Sequence, residues 1–485
     1  MTLPVLGGLG FVKAVEWKEF REKLRDAGLV SSSVWPFTTV GRGFPEPFRR
    51  PLIAWHLRQT GGLAAIAMRL LMFRDSVTDT EANALLGHDL CRRLQDAGLF
   101  HVVPGGLVCP FDLNILDDLY ILCDDLLAGR DAVMGAGVSS LIACRAALPR
   151  SPVASILDLG CGAGTASLLF AKWANRIVGT DINPRAVVLS RINAAFNAIE
   201  RPEFVLGDLF EPIGNEQFDL IVSQPPFIAR APGAARKTFL YGGSRGDELP
   251  LRVLREIPSL LAPDGQAVLL IDWPEDGQGP VEERVLGAVG GGLQTLLLRG
   301  PGMPLDDHCI AYALGRGSTG RGYERRVQAA REQYAALGIT SLTSSVVVLR
   351  RAAPAWTAVI DLPVGGVTRI TSEQVAAILR RETLLASDER ELIEARLTTA
   401  PGLLFLAMPD GRVRAEFPSS AVLDRVEFNG GVYRLIEIVG RAPTVGAAIT
   451  DFAHQAELSP TEAAERVLPA VREALRRGLL ETAVA

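Results

Sequence analysis

Between Ile156 and Thr165 the chain reads Ile-Leu-Asp-Leu-Gly-Cys-Gly-Ala-Gly-Thr. The apolar residues around Asp158 fit a buried strand. Gly160, Gly162 and Gly164 then follow at every second position, and the apolar run Ala166 to Trp173 reads as a helix. Strand, glycine turn and helix form the opening unit of a nucleotide-binding α/β sheet. Glycine serves such a turn because a Cβ would block close approach of the backbone to a ligand. A turn of this kind alone fits an ordinary α/β domain as well as a cofactor site, so the residues downstream decide.

They repeat the unit. The strand Arg176 to Asp181 ends on an acid about 20 residues past the turn, where a carboxylate can accept both ribose hydroxyls of a nucleoside. Asn183-Pro184 starts a helix running to Ala198. A third strand, Glu203 to Gly207, leads to Asp208-Leu209-Phe210, an acid that can accept from an exocyclic amine beside apolar cover. The fourth, Phe218 to Ser223, runs into Gln224-Pro225-Pro226-Phe227. Each of these points lies at the carboxyl end of a strand, where parallel sheets bind ligands. The candidate cofactor contacts are therefore Asp158, Gly160, Gly162, Gly164, Thr165, Asp181, Ile182, Asn183, Asp208, Leu209 and Ser223. A dehydrogenase fits less well, because its fingerprint is G-x-G-x-x-G.

Taken together, Ile156 to Ala171, Val178 to Ala186, Gly207 to Pro212 and Asp219 to Phe227 resemble a class I S-adenosylmethionine-dependent methyltransferase. Within that class the chain is similar to the HemK/PrmC-like "methyltransferase small" branch, whose fourth strand ends in Asn/Asp-Pro-Pro-Tyr/Phe. The run Phe239 to Asp247 is also typical of it. The resemblance covers about residues 130 to 275. It implies a seven-stranded Rossmann-like core and S-adenosylmethionine as cofactor. In the branch, the tetrad's Asn and the next Pro carbonyl accept from an acceptor NH2, and the aromatic ring packs against the acceptor. By that likeness Gln224, Pro225, Phe227 and, from the following loop, Tyr241 are the catalytic candidates. Arg245 is a candidate clamp for a substrate carboxylate, and Asp272 a rim acid or base.

Gln224 departs from the pattern. It offers the same amide one methylene further out, and a displacement of about 1 Å can cost about 100-fold in rate. The departure puts the amide-nitrogen acceptor in question, not methyl transfer. The expected reaction methylates a nitrogen of a peptide, a protein or a small metabolite. The alternatives are a nucleobase methyltransferase and a non-catalytic cofactor-binding adaptor or regulator.

At 485 residues the chain exceeds one compact core. The expected units are a winged-helix-like domain at 1–128, the methyltransferase domain at 129–362 and a small α+β winged-helix-like domain at 363–485. In the first, Val15 to Ala27 reads as an amphipathic helix, Ser31 to Pro47 as a loop, and Leu52 to Phe73 as helix broken at Gly61-Gly62. Two short helices follow Thr78, then a hairpin turns at Pro104-Gly105-Gly106. The last of those helices carries only Arg92 and Arg93 against Asp89 and Asp96, thin for phosphate contact. Asp112 to Leu127 reads as a connecting helix with an acidic, solvated face. Val133 to Ser140 is expected to wall the cofactor pocket. Beyond the fourth strand, Gln266 to Ile271, Leu293 to Leu298, His308 to Leu314, Ser344 to Arg350 and Trp356 to Asp361 read as strands, the last two completing an antiparallel edge. The C-terminal part, with a hairpin at residues 403–417 and three final helices, weakly resembles a PqqD-like peptide-recognition module. That likeness implies peptide docking on its sheet edge; packing or homodimerisation is the plainer role.

The net charge of −5 gives no global pull toward nucleic acid. The six cysteines lack C-x-x-C spacing, which argues against a zinc site and a disulfide scaffold. No metal is expected. Neither a signal peptide nor an apolar run of the ~18 residues that span a bilayer is read, so a cytoplasmic protein is expected.

Overall fold

The computed structural model describes residues 3–34, 46–126, 128–230, 237–277, 279–313, 320–418, 420, 422 and 425–483. Most of the loop expected at Ser31 to Pro47 lies outside them, as do Leu127 and Leu314.

The first helix, Ala14–Asp26, buries Trp17, Phe20 and Leu24. Helices Glu46–Thr60 and Gly62–Met72 divide at the two glycines. Helix Asp79–Leu86 opens with a reciprocal capping box: Glu81 N–H donates to Thr78 Oγ1, and Thr78 N–H donates to the Glu81 carboxylate. Helix His88–Asp96 follows, then antiparallel β1 (His101–Val103) and β2 (Gly106–Val108). This is the helix and hairpin order expected. Arg93 is held by Glu16 and Glu19 of the first helix and so is not presented to a phosphate.

Residues 112–123 correct the expectation of a helix. They form an antiparallel hairpin of β3 (Asp112–Leu116) and β4 (Leu119–Cys123). Asp117, at φ +49°, turns the chain. Two acids expected to face solvent are sequestered: Asp112 pairs with Arg50 and Arg74, and Asp124 is 2% exposed against Arg185.

The central sheet is built from β5 (Val153–Leu159), β6 (Ala174–Asp181), β7 (Pro202–Leu206) and β8 (Phe218–Ser223). A small parallel pair, β9 (Ile228–Ala229) and β10 (Tyr241–Gly243), sits outside it. The sheet continues with β11 (Leu261–Glu275), β12 (Gln294–Pro304), β13 (Ser341–Arg350) and β14 (Trp356–Asp361). The order is β14-β12-β13-β11-β8-β5-β6-β7, with β13 antiparallel to both neighbours. It therefore has eight strands where seven were expected. The added edge strand β14 runs parallel to β12, not antiparallel. The strand expected at His308 is instead the helix Leu305–Tyr312, led by Pro304 with Asp306 and Asp307 in its first turn.

Alternate residues of β5 show why the strand reads as continuously apolar. Ile156 belongs to the core on one face of the sheet, with residues of helices Val138–Ala147 and Ser372–Ala386, and Leu157 to the core on the other, with residues of Glu248–Leu260 and Val281–Val289. Further on, β15 (Leu397–Thr399) pairs with β19 (Leu480–Thr482), while β16 (Leu404–Ala407), β17 (Arg412–Glu416) and β18 (Arg425–Asn429) form a meander. Three helices, Gly430–Arg441, Val445–Ala456 and Pro460–Arg476, complete this part.

Helix Pro184–Phe196 joins the N-terminal unit to the sheet. Phe196 lies 5.0 Å from Trp17, 5.1 Å from Phe20 and 5.6 Å from Tyr120, centroid to centroid. On the same helix Asn193 Oδ1 accepts Leu122 N–H, and its Nδ2 donates to the carbonyls of Leu122 and Ala163, all at 2.9 Å. Asn197 does the same for both backbone groups of Tyr120. The two amides thus act as a strand partner for β4. Asn193→Leu strands the N–H and carbonyl of Leu122 and the carbonyl of Ala163. At about 1–3 kcal/mol per unpaired buried group, stability should fall by roughly 3–9 kcal/mol. Denaturant midpoints measure this, and a loss under ~1 kcal/mol contradicts it.

Candidate active site

The carboxyl ends of β5, β6 and β8 open into one cavity of about 740 Å³. Its floor begins at Gly160, where φ is +78° and a Cβ would meet nothing within 4 Å, so the bare backbone faces the space. Gly162, at φ +53°, passes so close to the strap above that a Cβ would lie 3.1 Å from the Met134 carbonyl. Asp181 is tied at this turn: its Oδ2 accepts Gly162 N–H and its Oδ1 accepts Asn183 N–H, both at 2.9 Å. Burial raises its carboxyl while these two N–H groups oppose the rise.

Asp158 is 5% exposed, and its Oδ2 accepts the N–H and hydroxyl of Ser167 at 2.9 and 2.7 Å. Burial pushes its carboxyl up to about 6, helped by the charge of Asp181 and opposed by Ser167. Ten of the eleven expected cofactor contacts line the cavity: Asp158, Gly160, Gly162, Thr165, Asp181, Ile182, Asn183, Asp208, Leu209 and Ser223. Gly164 stands behind them as the N-cap of helix Thr165–Leu169. Asp208 is ion-paired to Arg252 at 2.7 Å.

A strap over residues 124–126 and 128–134 roofs this end. Arg185 donates twice to Asp124, at 2.6 and 2.7 Å, and Asp124 also accepts Val133 N–H at 2.9 Å. Asn183 Nδ2 donates to the Asp131 carbonyl at 2.9 Å. From the other side, Thr238 Oγ1 donates to Asp131 at 2.8 Å and Lys237 Nζ to the Leu126 carbonyl at 3.1 Å. Val133, Met134, Gly135 and Ser140 line the cavity, as expected for the segment Val133 to Ser140.

At the other end lie Gln224, Pro226, Arg230, Phe239 and Tyr241. The extra methylene of Gln224 carries its Oε1 to the hydroxyl of Ser140, which donates to it at 3.1 Å. Pro225 and Phe227 are buried behind the wall, Phe227 in the core with Phe210, Val253 and Leu254. The ring expected over an acceptor thus has no counterpart at Phe227; Phe239 and Tyr241 supply the aromatic wall. Tyr241 is half-buried, and burial raises its hydroxyl against the opposing charge of Arg230. Arg245 is not at the wall but paired with Asp276 and Asp247. Asp272 is likewise off the wall, buried and accepting from Ser344 at 2.5 Å. Sequence reasoning gave no role to Arg230 and Lys237, whose only signal was their nearness to the tetrad, nor to Phe239, which heads the run Phe239 to Asp247.

Residues 139–240 match the family model of the methyltransferase small domain. Over that stretch the core is similar to the methyltransferase small domain. Among curated relatives, a release factor glutamine methyltransferase of Geobacter sulfurreducens is 32% identical over 163 residues, 30% of this chain and 57% of that protein. A ribosomal protein uL3 glutamine methyltransferase of Bradyrhizobium diazoefficiens is 34% identical over 124 residues, 23% of this chain and 39% of that protein. A ribosomal RNA small subunit methyltransferase C of Alcanivorax borkumensis is 28% identical over 134 residues, 26% of this chain and 37% of that protein. The chain thus spans well under two thirds of each.

The cofactor of this domain class is S-adenosylmethionine, and the residues present fit it. The bare Gly160 floor admits a ligand against the backbone, and Asp181 keeps lone pairs free beyond its two backbone bonds. Among the described residues no three-membered metal-ligand cluster occurs, and no helix is long and apolar enough to cross a membrane.

Asp158 ties the methyltransferase domain to pH. Its folded form holds a proton more tightly than an unfolded carboxyl does. Its contribution to stability is therefore full below pH ~4 and lost as pH rises through about 6. Thermal melts of the free protein between pH 4 and 7 should show this decline, and Asp158→Asn should flatten it. An identical slope in wild type and variant contradicts the assignment.

Proposed function

We propose that the chain transfers a methyl group from S-adenosylmethionine to a nitrogen of a peptide, protein or small-metabolite acceptor held where Gln224 and Pro226 of the tetrad reach the cavity, beside Phe239 and Tyr241. When bound, the cofactor supplies an electrophilic methyl on a sulfonium. The task of the protein is to hold the acceptor nitrogen in line and keep water out. Asp181 accepts from the nucleoside hydroxyls, and the Gly160 floor and Ile182 take the remainder of that end. Gln224, anchored by Ser140, presents its amide to the acceptor. The strap and its bonds to Lys237 and Thr238 exclude solvent.

The observation that carries this reading is the placement of Gln224 and Asp181 on one cavity, at the ends of β8 and β6. The two relatives named for glutamine methylation support a peptide or protein acceptor. The exposed edge strand β16, with Leu404 and Leu406 about half exposed, supports docking of an extended peptide on the C-terminal part. In this reading residues 129–362 carry the chemistry, 1–128 brace the roof and 363–485 recruit the acceptor.

Calorimetry with S-adenosylhomocysteine tests the donor half. Wild type should bind, and Asp181→Ala should bind at least tenfold more weakly; equal affinities contradict the site. Labelled cofactor with glutamine-containing peptides and with RNA tests the acceptor half. Label on peptide is expected. Label on RNA alone selects a nucleobase methyltransferase, and label on neither, with binding intact, selects the adaptor.

A further inference from the structure

We propose that Arg230 grips a carboxylate of the acceptor, so that the substrate is a nitrogen compound carrying a free acid group; this rests on the methyl-transfer reading above. Three consecutive N–H groups after the tetrad are pinned. Ile228 N–H donates to the Leu240 carbonyl at 3.1 Å, Ala229 N–H to the Tyr334 hydroxyl at 3.4 Å, and Arg230 N–H to the Gly243 carbonyl at 2.9 Å. Tyr334 is in turn bonded to His308 Nε2 at 2.9 Å. The base of the Arg230 side chain is therefore fixed, and the side chain lines the cavity.

Its Nε is buried without a hydrogen-bond partner among the described residues. Buried polar groups in native proteins are paired, and an orphan guanidinium N–H at a cavity wall points to a ligand that pairs it. No acid of the wall does so. Asp158 serves Ser167, Asp181 serves Gly162 and Asn183, and Asp208 serves Arg252. The segment Ala231 to Arg236 contains no carboxylate. Arg245 and Arg284 nearby are paired with acids through their terminal nitrogens; Arg284 Nε is also buried without a partner among the described residues, but Arg284 does not line the cavity.

The chemistry favours a carboxylate over a phosphate. A guanidinium can meet either by two parallel bonds, so charge decides, and a single guanidinium balances one carboxylate. The other cations of the wall are turned to other groups: Lys237 donates to the Leu126 carbonyl at 3.1 Å and Arg130 lies 3.7 Å from Asp131. One free guanidinium beside Tyr241 suits a monoanion. A free amino acid and the C-terminus of a peptide both offer a carboxylate near a nitrogen, and the test separates them.

The full chain is saturated with S-adenosylhomocysteine and titrated calorimetrically with matched pairs that differ only in the acid group. The pairs are L-glutamine against L-glutaminamide, and a glutamine-terminated peptide with a free against an amidated C-terminus. Inorganic phosphate is a fifth probe. Wild type should prefer the acid of at least one pair by tenfold or more, and which pair shows it names the source. Arg230→Gln should erase the preference and Arg230→Lys should keep part of it. Both variants should bind S-adenosylhomocysteine within about twofold of wild type, which also shows that they are folded. Equal treatment of acid and amide by wild type, binding of neither included, overturns the proposal. So does a preference that survives in Arg230→Gln, or phosphate as the sole ligand that this variant loses. Failure of wild type to bind S-adenosylhomocysteine would instead overturn the methyl-transfer reading.

Discussion

A single buried amide, Asn193, couples the two halves of the donor site. Through one bond it holds the Ala163 carbonyl inside the glycine turn, and through two it holds Leu122 of β4. The hairpin so fixed runs directly into the strap, whose Asp124 is clamped by Arg185 one helix turn beyond Asp181. Floor and roof of the cavity are therefore registered by one helix, Pro184–Phe196. A lost bond inside it leaves unpaired groups in a dry interior, where they cost most.

The two ends of the cavity are built differently. The donor end uses strand termini and a backbone held by the sheet, so its geometry follows from the α/β topology. The acceptor end is made of loops: the tetrad, the residues after it and the β10 region. Gln224 stands here one methylene longer than the pattern the chain resembles. Its longer arm is taken up by Ser140 on a helix that itself packs on the sheet. Phe227 has withdrawn into the core, and Phe239 and Tyr241 stand at the wall in its stead.

Much of the donor end was legible in the sequence because local chemistry dictates it. Glycines at positive φ, an acid at the end of β6 and Asn183 capping a helix all leave local signatures. What was not legible depends on distant partners. Asp112 and Asp124 suggested a solvated helix because their cations, Arg50, Arg74 and Arg185, lie about 40 to 60 residues away. The apolar run at His308 is short enough to fit either a strand or a helix, and Pro304 with its two acids decided for the helix. Arg245 and Arg230 are equivalent on paper; only the structure shows that Asp276 and Asp247 occupy the first.

The glycine turn and the N-terminal hairpin form one cooperative unit through Asn193. Hydrogen–deuterium exchange of the whole chain, with and without S-adenosylhomocysteine, addresses it most directly. The coupling predicts that ligand slows exchange both in the turn at 160–165 and in β4, with Leu122 N–H among the protected amides. Slowing confined to the turn, with β4 unchanged, would contradict it.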